Sequence, residues 1–150
     1  MIKKSILLFF IIFGFSSSYA TTIKEFTTQK DYGLVFIYSS TCPYCHKMVH
    51  VVEALQKKYD FEVYPISADA KALGSYSMFY NLTPGVIDRY YGSTRPMFPL
   101  LILQDLNRPE NFYPIAQGYI SLSQTEQNLK TVIGSLSVQK HKNIGEENAQ

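Results

Sequence analysis

Apolar positions in the first third of the chain change their spacing near residue 40. Residues 33–39 are mostly β-branched or aromatic, and apolar side chains fall on both faces, which is typical of a buried central strand. From residue 43 onwards the apolar positions recur three and four apart, as on one face of a helix. Pro43 suits the first turn of that helix, where its missing N–H is not needed. A strand therefore runs into residues 40–42, and a helix begins directly after them.

The alternation of strand and helix continues along the chain. A second strand over residues 61–66 should lie parallel to the first, because a helix connects the two. The remaining predictions are an irregular polar segment at 68–82, a helix from Thr83-Pro84 to Gly92, a hairpin of 100–103 with 112–120, and a last helix that begins at a capping box of Ser123 with Glu126. This order predicts an α/β sandwich with a mixed sheet of four or five strands and flanking helices.

The N-terminal residues 1–20 have the composition of a cleaved signal peptide. Lys3 and Lys4 precede an apolar stretch over 6–15, and small residues at 18–20 suit a cleavage site. The apolar stretch is about half as long as the roughly 20 residues that a spanning helix needs, so cleavage is favoured over an uncleaved anchor. We therefore expect a periplasmic protein without stable membrane association, with one domain over residues 21–137 and a disordered polar tail over 138–150.

The charge of the chain argues against one class of partner. Lys3 and Lys4 account for the whole formal charge of +2, so the chain beyond residue 20 carries equal numbers of acidic and basic side chains. Proteins that bind nucleic acid typically have a basic surface. We therefore expect no nucleic-acid partner.

The chain has only two cysteines, Cys42 and Cys45, in the run Cys-Pro-Tyr-Cys at the predicted start of the helix. A disulfide between them would close too small a loop to stabilise the fold much, so redox chemistry explains the pair better. A helix N-terminus favours negative charge, which makes Cys42 the candidate nucleophile. Cys45 lies one turn later and should be less exposed, so it would resolve the mixed disulfide. Pro43 and Tyr44 would set the local geometry and the redox poise.

Three other interpretations of the motif remain open. Cys42-Pro-Tyr-Cys45-His46 also matches the attachment signature of a c-type haem in a small electron-transfer protein, for which Met97 would be the distal ligand. The buried strand that leads into Cys42 counts against it. A zinc site would need a second pair of Cys or His ligands, and an inert structural disulfide is the third alternative. On balance the sequence predicts neither a metal nor a cofactor.

The strand at 33–39, the Cys42–Cys45 motif and the helix after it resemble those of the thioredoxin superfamily, over roughly residues 30–136. Within it, the chain is most similar to the periplasmic thioredoxin-like disulfide isomerases that assist pilin assembly in F-type conjugative transfer. Residues 39–46, residues 59–67 and the short length without a separate dimerisation domain carry that closer resemblance. It implies a thioredoxin-like sandwich and a thiol-disulfide oxidoreductase or isomerase. Its substrates would be exported, pilus or conjugation proteins with cysteines, and a redox partner would recharge the dithiol.

The resemblance also implies a substrate site beside the cysteines. The superfamily places a cis-proline at the start of the strand that enters the hairpin, where Pro99 matches best and Pro96 is the competitor. Phe98 would then present its backbone to a bound substrate peptide. One position departs from the family pattern, because Phe36 replaces the buried acid that in many relatives helps to deprotonate the resolving thiol. His46 is the candidate proton relay in its place.

Overall fold

The structure is a computed structural model that describes residues 23–27 and 30–147. The predicted signal peptide at 1–20 lies outside the described residues. The helices and strands in this part of the chain are α1 (Ile23–Thr27), β1 (Tyr32–Tyr38), α2 (Pro43–Tyr59), β2 (Val63–Ser67), β3 (Tyr80–Asn81), α3 (Pro84–Tyr91), β4 (Leu100–Asp105), β5 (Phe112–Gln117) and α4 (Leu122–Glu147). Apart from α1 and β3, each of these elements is predicted by the sequence pattern.

The strands form one mixed sheet in the order β3-β2-β1-β4-β5. β1 is parallel to β2 and antiparallel to β4, so the predicted parallel unit around α2 is confirmed. β4 and β5 form the predicted hairpin. The fifth strand, β3, lies within the segment 68–82, for which the sequence predicts irregular structure. A strand of two residues has no alternation to detect, so the pattern does not reveal it.

One face of the sheet carries the larger core, which we call the cysteine face. Helices α1, α2 and α4 pack there. Phe36 of β1, Met48 and Leu55 of α2, and Leu129 of α4 are all fully buried in it. Because Cys45 belongs to the same apolar stripe of α2, the spacing that packs the helix against the sheet also buries the second cysteine.

The opposite face of the sheet, which we call the α3 face, has α3 as its one covering helix in the described part of the chain. Ile37 and Ile102 meet Tyr91 of α3 there. This helix has the predicted ends, because the Thr83 side chain accepts a hydrogen bond from a first-turn N–H at 3.4 Å and Gly92 terminates it with φ +59°. None of the helices in the described residues is long and apolar enough to cross a membrane.

The last helix begins at a different residue from the one predicted. Its cap is Ser121, whose Oγ accepts a hydrogen bond from the Gln124 N–H at 3.2 Å, so the predicted capping box of Ser123 with Glu126 is wrong. Glu126 instead accepts a hydrogen bond from Lys58 Nζ of α2 at 2.7 Å. A contact between two helices therefore takes the carboxylate that the sequence assigns to the local cap.

The same helix also ends later than predicted. It continues to Glu147, so residues 138–147 are helical rather than part of a disordered polar tail. Glutamine, lysine and glutamate are good helix formers, and a helix that already exists extends at little cost. The polar composition of this segment therefore indicates only that few of its side chains can be buried in a core. It does not exclude a helix.

Both edges of the sheet are short or interrupted. At one edge, β3 has only two residues. At the other, β5 contains Pro114, which has no N–H to donate, and the pairing of β5 with β4 shifts at an irregularity between Leu101 and Ile102. Proline is tolerated in a strand at such an outer position, because the missing donor faces no partner strand there.

Candidate active site

The two cysteines lie where the loop from β1 meets α2. Cys42 is the N-cap residue with extended backbone (φ −84°, ψ 116°), and Pro43 takes the first helical position. The Cys42 carbonyl accepts hydrogen bonds from the N–H groups of Cys45 at 3.0 Å and His46 at 3.3 Å, which closes the first turn. Unpaired N–H groups at a helix start stabilise negative charge, so this position suits a thiolate nucleophile.

Cys45 is fully buried on the cysteine face, with an exposed fraction of 0%. This burial, together with the smaller effect of the neighbouring Cys42 thiol, raises the pKa of the Cys45 thiol to about 12. A hydrogen bond from the Ser39 backbone acts in the opposite direction and lowers the pKa, because it stabilises the thiolate. Cys45 is therefore a protonated thiol at neutral pH as long as Cys42 is a free thiol beside it.

Cys42, in contrast, is only partly buried. Its Sγ lies 3.7 Å from the carbonyl oxygen of Phe98, to which the thiol donates a hydrogen bond. The peptide bond between Phe98 and Pro99 is cis, so the cis-proline is at Pro99 and not at Pro96. The structure thus brings Cys42 together with Phe98 and Pro99, although Phe98 follows Cys42 by 56 residues in sequence.

Two residues that the sequence analysis does not identify hold this cis-proline loop in place. The Tyr91 hydroxyl donates to the Met97 carbonyl at 3.1 Å, and the Tyr91 ring meets the Phe98 ring edge-on with centroids 6.5 Å apart. On the other side, the N–H of Gly118 donates to the Pro99 carbonyl at 2.7 Å. Gly118 has φ +83°, a conformation that favours glycine. An aromatic residue at a helix end and a glycine after a strand are too common to single out from sequence.

Asp69, in the loop after β2, is a third site residue that the sequence pattern does not reveal. Its carboxylate accepts hydrogen bonds from the Ser40 Oγ at 2.6 Å, the Ser40 N–H at 3.0 Å, the Ser67 Oγ at 3.0 Å and the Ser39 Oγ at 3.3 Å. These bonds, with that from the Ser40 hydroxyl first, lower the pKa of Asp69 to about 2, so it is a carboxylate at neutral pH. The loop that enters the cysteine motif is therefore tied to the neighbouring strand.

His46 lies on the other side of the same loop. Its Nε2 is 2.7 Å from the Ser40 carbonyl oxygen, and because a carbonyl can only accept, Nε2 carries the proton. Phe36, at the position of the family's buried acid, is fully buried in the core of the cysteine face. The role of His46 as a proton relay stays a prediction.

An exposed aromatic surface flanks Cys42. The Tyr44 side chain is 59% exposed and Tyr119 is 43% exposed. Lys47 Nζ lies 5.9 Å from the ring centroid of Tyr44 and 5.8 Å from that of Tyr119, so it bridges the two rings. Within residues 23–27 and 30–147, no three His, Cys, Asp or Glu side chains form a group that could hold a metal ion.

Two solved structures align with about two thirds or more of this chain. A candidate thiol:disulfide interchange protein DsbE from Chlorobium tepidum aligns with a TM-score of 0.50 and 17% identity, over 71% of this chain and 83% of that chain. An exposed lipoprotein thioredoxin from Streptococcus pneumoniae aligns with a TM-score of 0.47 and 16% identity, over 67% of this chain and 84% of that chain. The likeness to the first confirms the predicted thioredoxin-like fold.

Sequence comparison identifies the family. No curated protein matches the chain. The family model of TraF, described as the F plasmid transfer operon protein, matches residues 19–130. This range includes β1, both cysteines, the cis-proline loop and the start of α4. The resemblance to proteins of F-type conjugative transfer is confirmed, and the chain belongs to the TraF family of F plasmid transfer operon proteins.

Proposed function

We propose that this protein is an exported thiol-disulfide oxidoreductase that exchanges disulfides with cysteine-containing proteins through Cys42 and Cys45. The observation that carries the proposal is the difference between the two thiols. Cys42 is partly exposed beside the Phe98 carbonyl, whereas Cys45 is fully buried one helical turn later. A substrate sulfur can therefore reach the first thiol, and the second can reach only the first.

The reaction proceeds through a mixed disulfide. The Cys42 thiolate attacks a substrate disulfide, a bond forms between Cys42 and one substrate sulfur, and the other sulfur leaves with the electron pair and takes up a proton. Cys45 then attacks the Cys42 sulfur, which forms the Cys42–Cys45 disulfide and releases the second substrate thiol. The substrate gains two electrons and the protein loses two. Oxidation of a substrate dithiol is the reverse, and isomerisation begins with the same first step without net electron transfer.

The backbone next to Pro99 supports substrate binding. The Phe98 carbonyl already accepts the hydrogen bond of the Cys42 thiol, so it lies at the reacting sulfur. An extended substrate segment can pair with the Phe98 backbone while its cysteine meets Cys42, which is a short form of β-augmentation. Tyr44 follows Cys42 by two residues, and Tyr119 follows Gly118, which is bonded to the Pro99 carbonyl. Both rings offer exposed aromatic surface to neighbouring substrate side chains.

The proposed setting is the periplasm, with pilus or conjugation-apparatus proteins as substrates. Membership of the TraF family supports the link with conjugative transfer. The leader-like composition of residues 1–20 supports export. In this setting the dithiol needs a redox partner to recharge it after each turnover.

The geometry of the motif does not favour the haem alternative. Attachment of a c-type haem would use both cysteine sulfurs and the His46 ring, but the Cys45 side chain is fully buried and His46 Nε2 donates to the Ser40 carbonyl. A visible absorbance spectrum of the protein isolated from its host tests this directly. A haem protein would show strong bands, and we expect none.

The decisive experiment is a redox titration of the purified protein in glutathione buffers. We expect a reversible two-electron couple. A potential of about −120 to −180 mV would indicate an oxidase or isomerase, and one of about −270 mV would indicate a reductase. The Cys42→Ser variant should show no couple and no reduction of a protein disulfide. The Cys45→Ser variant should retain attack and accumulate a stable mixed disulfide at Cys42.

Two results would contradict the proposal. Absence of any reversible couple in the wild-type protein would remove the oxidoreductase assignment. A normal couple together with unimpaired conjugative transfer in cells that carry only the Cys42→Ser variant would leave the chemistry intact and remove the pilus substrates. Fractionation of the same cells tests export separately.

A further inference from the structure

We propose that Asp69 is a positioning residue for the resolving step, because its carboxylate holds the Ser39–Ser40 segment so that the Ser39 N–H stays directed at the Cys45 sulfur. The inference rests on the proposed function. Asp69 is not within the cysteine motif, and it lies 24 residues beyond Cys45 in the chain. It acts on the reaction through the backbone of the loop that precedes Cys42.

The first step of the argument is the way the loop is fixed. Both the N–H and the hydroxyl of Ser40 donate to Asp69, the latter at 2.6 Å, and the Ser39 hydroxyl donates to it as well. The Ser40 carbonyl accepts from His46 at 2.7 Å. Both peptide groups of Ser40 are therefore held. The Ser39 N–H belongs to the preceding peptide group, whose Tyr38 carbonyl accepts from the Ala68 N–H at 2.8 Å. The N–H is thus fixed between the Ala68 contact on one side and the Asp69 contacts on the other.

The loop of Asp69 is itself anchored to the sheet. The Ser67 hydroxyl, at the end of β2, donates to Asp69 at 3.0 Å and also lies 2.9 Å from the Lys71 carbonyl. The Tyr38 hydroxyl, at the end of β1, donates to the same carbonyl at 2.9 Å. Asp69 is thus bonded to the end of β2, and its loop is also bonded to the end of β1 through Lys71, which makes it a fixed support for the cysteine loop.

The second step concerns the thiol that must ionise. In the mixed disulfide Cys42 has no thiol hydrogen or negative charge, so its two unfavourable effects on the Cys45 thiolate vanish. Burial still opposes ionisation, and the Ser39 N–H is the donor that favours it. Cys45 attacks the Cys42 sulfur, the bond to the substrate sulfur breaks, and the proton of Cys45 ends on the leaving substrate thiolate. Phe36 leaves this step without the family's buried acid, so the held amide matters more here.

The third step separates geometry from charge. The negative charge of Asp69 by itself disfavours a thiolate at Cys45. Its low pKa, about 2, also makes it a poor proton acceptor. If Asp69 assists the resolving step, it does so through the geometry that it holds, and removal of its charge alone should not slow the step.

The test measures the lifetime of the mixed disulfide between Cys42 and glutathione. The reduced protein is mixed with glutathione disulfide, quenched with acid at intervals and analysed by mass spectrometry. We expect the intermediate to live about tenfold longer in Asp69→Ala, because hydrogen bonds to a charged acceptor are lost. Asp69→Asn should resolve at least as fast as wild type, because its amide oxygen still accepts from Ser40 and its NH₂ can donate to Ser67.

The matched control is Asp105→Asn. Asp105 also accepts backbone hydrogen bonds that fix a loop, from the N–H groups of Asn107 at 3.0 Å and Arg108 at 2.9 Å, but in the β4–β5 hairpin. The mixed disulfide should live as long in Asp105→Asn as in the wild-type protein. If Asp69→Ala does not fold, Ser40→Ala replaces it and should lengthen the lifetime about threefold, because a single hydrogen bond is lost.

Three outcomes would overturn the inference. These are an unchanged or shorter lifetime in Asp69→Ala, an unchanged lifetime in Ser40→Ala, or an Asp69→Asn lifetime as long as that of Asp69→Ala. Failure of the proposed function itself looks different, because wild type would then form no mixed disulfide that resolves.

Discussion

The two faces of the sheet differ in how they are covered. In the described part of the chain, three helices pack on the cysteine face, which holds the larger core, whereas the α3 face has a smaller cluster under one helix of eight residues. Cys45 lies within the larger core, whereas Phe98 of the cis-proline loop packs against both cores and meets Tyr91 of the smaller one edge-on. The resolving thiol is thus set wholly in the more thickly covered half of the molecule, and the cis-proline loop rests partly on the thinner half.

Adjacent leucines of β4 allow the sharpest test of this difference. Leu101 faces the cysteine face with an exposed fraction of 0%, and Leu100 faces the α3 face with 4%. We expect Leu101→Ala to lower the free energy of unfolding by about 4–5 kcal/mol and Leu100→Ala by about 2–3 kcal/mol, because the thinner layer relaxes into the cavity more easily. Urea unfolding of both variants measures this. Equal losses would mean that the two faces are equally rigid.

High pH should weaken the cysteine face selectively. The folded-state pKa of Cys45 is about 12, above its ordinary value of 9.0, so the protonated thiol is favoured by folding. This contribution is fully present below about pH 9 and is lost as the pH rises toward 12. The reduced protein should therefore lose stability over this range more steeply than Cys45→Ala. The comparison uses free energies of unfolding from urea titrations at each pH, and parallel curves would contradict it.

Two tyrosine hydroxyls, one on each face, test whether the loss of a polar contact also costs more stability on the cysteine face. On the α3 face the Tyr90 hydroxyl donates to the buried Gln104 at 2.8 Å, and on the cysteine face the Tyr76 hydroxyl donates to the half-buried Gln56 at 3.2 Å. Tyr90→Phe should lower the free energy of unfolding by about 1–2 kcal/mol, because it leaves a buried acceptor unpaired. Tyr76→Phe should lower it by about 0.5 kcal/mol, because water can replace the lost hydroxyl. Thermal unfolding of both Phe variants checks this. For these polar contacts, the variant on the α3 face should lose more stability than the variant on the cysteine face.

The smallest expected effect concerns Asp69, which lies in the loop after β2 and belongs to neither face of the sheet. The pKa of Asp69 is lowered from 3.8 to about 2, so its contribution to stability is present above pH 3.8 and is lost as the pH falls toward 2. Asp69→Asn should therefore show a weaker loss of stability between pH 4 and 2 than wild type, with Asp105→Asn as the comparison. Unfolding followed by circular dichroism at each pH measures the difference. Identical acid dependence would place the lowered pKa in doubt.

Sequence reasoning succeeds where a local pattern repeats. The apolar stripe of α2, the run of β-branched residues in β1 and the caps of α3 each extend over several residues, and each predicts its element correctly. The family resemblance adds Pro99, which no local pattern distinguishes from Pro96. These features place the cysteine pair, the helix start and the cis-proline before any coordinates are known.

The supporting contacts could not be found in the same way. Asp69 meets Ser40 across 29 positions, and Tyr91 acts through the backbone of Met97, so neither partner is marked by spacing. Glu126 leaves its predicted cap because the fold brings Lys58 near it. Such contacts depend on how helices and loops pack, which the pattern of a single segment does not contain.

The short and proline-interrupted edges of the sheet have a consequence for the proposed exchange of disulfides with other proteins. Unfolded substrates expose strands that can add to any free sheet edge and begin aggregation. β3 is too short to template such a strand, and Pro114 removes a donor from β5. In the proposed function, backbone pairing with a substrate would thereby be concentrated beside the reactive sulfur, so that a substrate released from Cys42 would have little sheet edge to hold it.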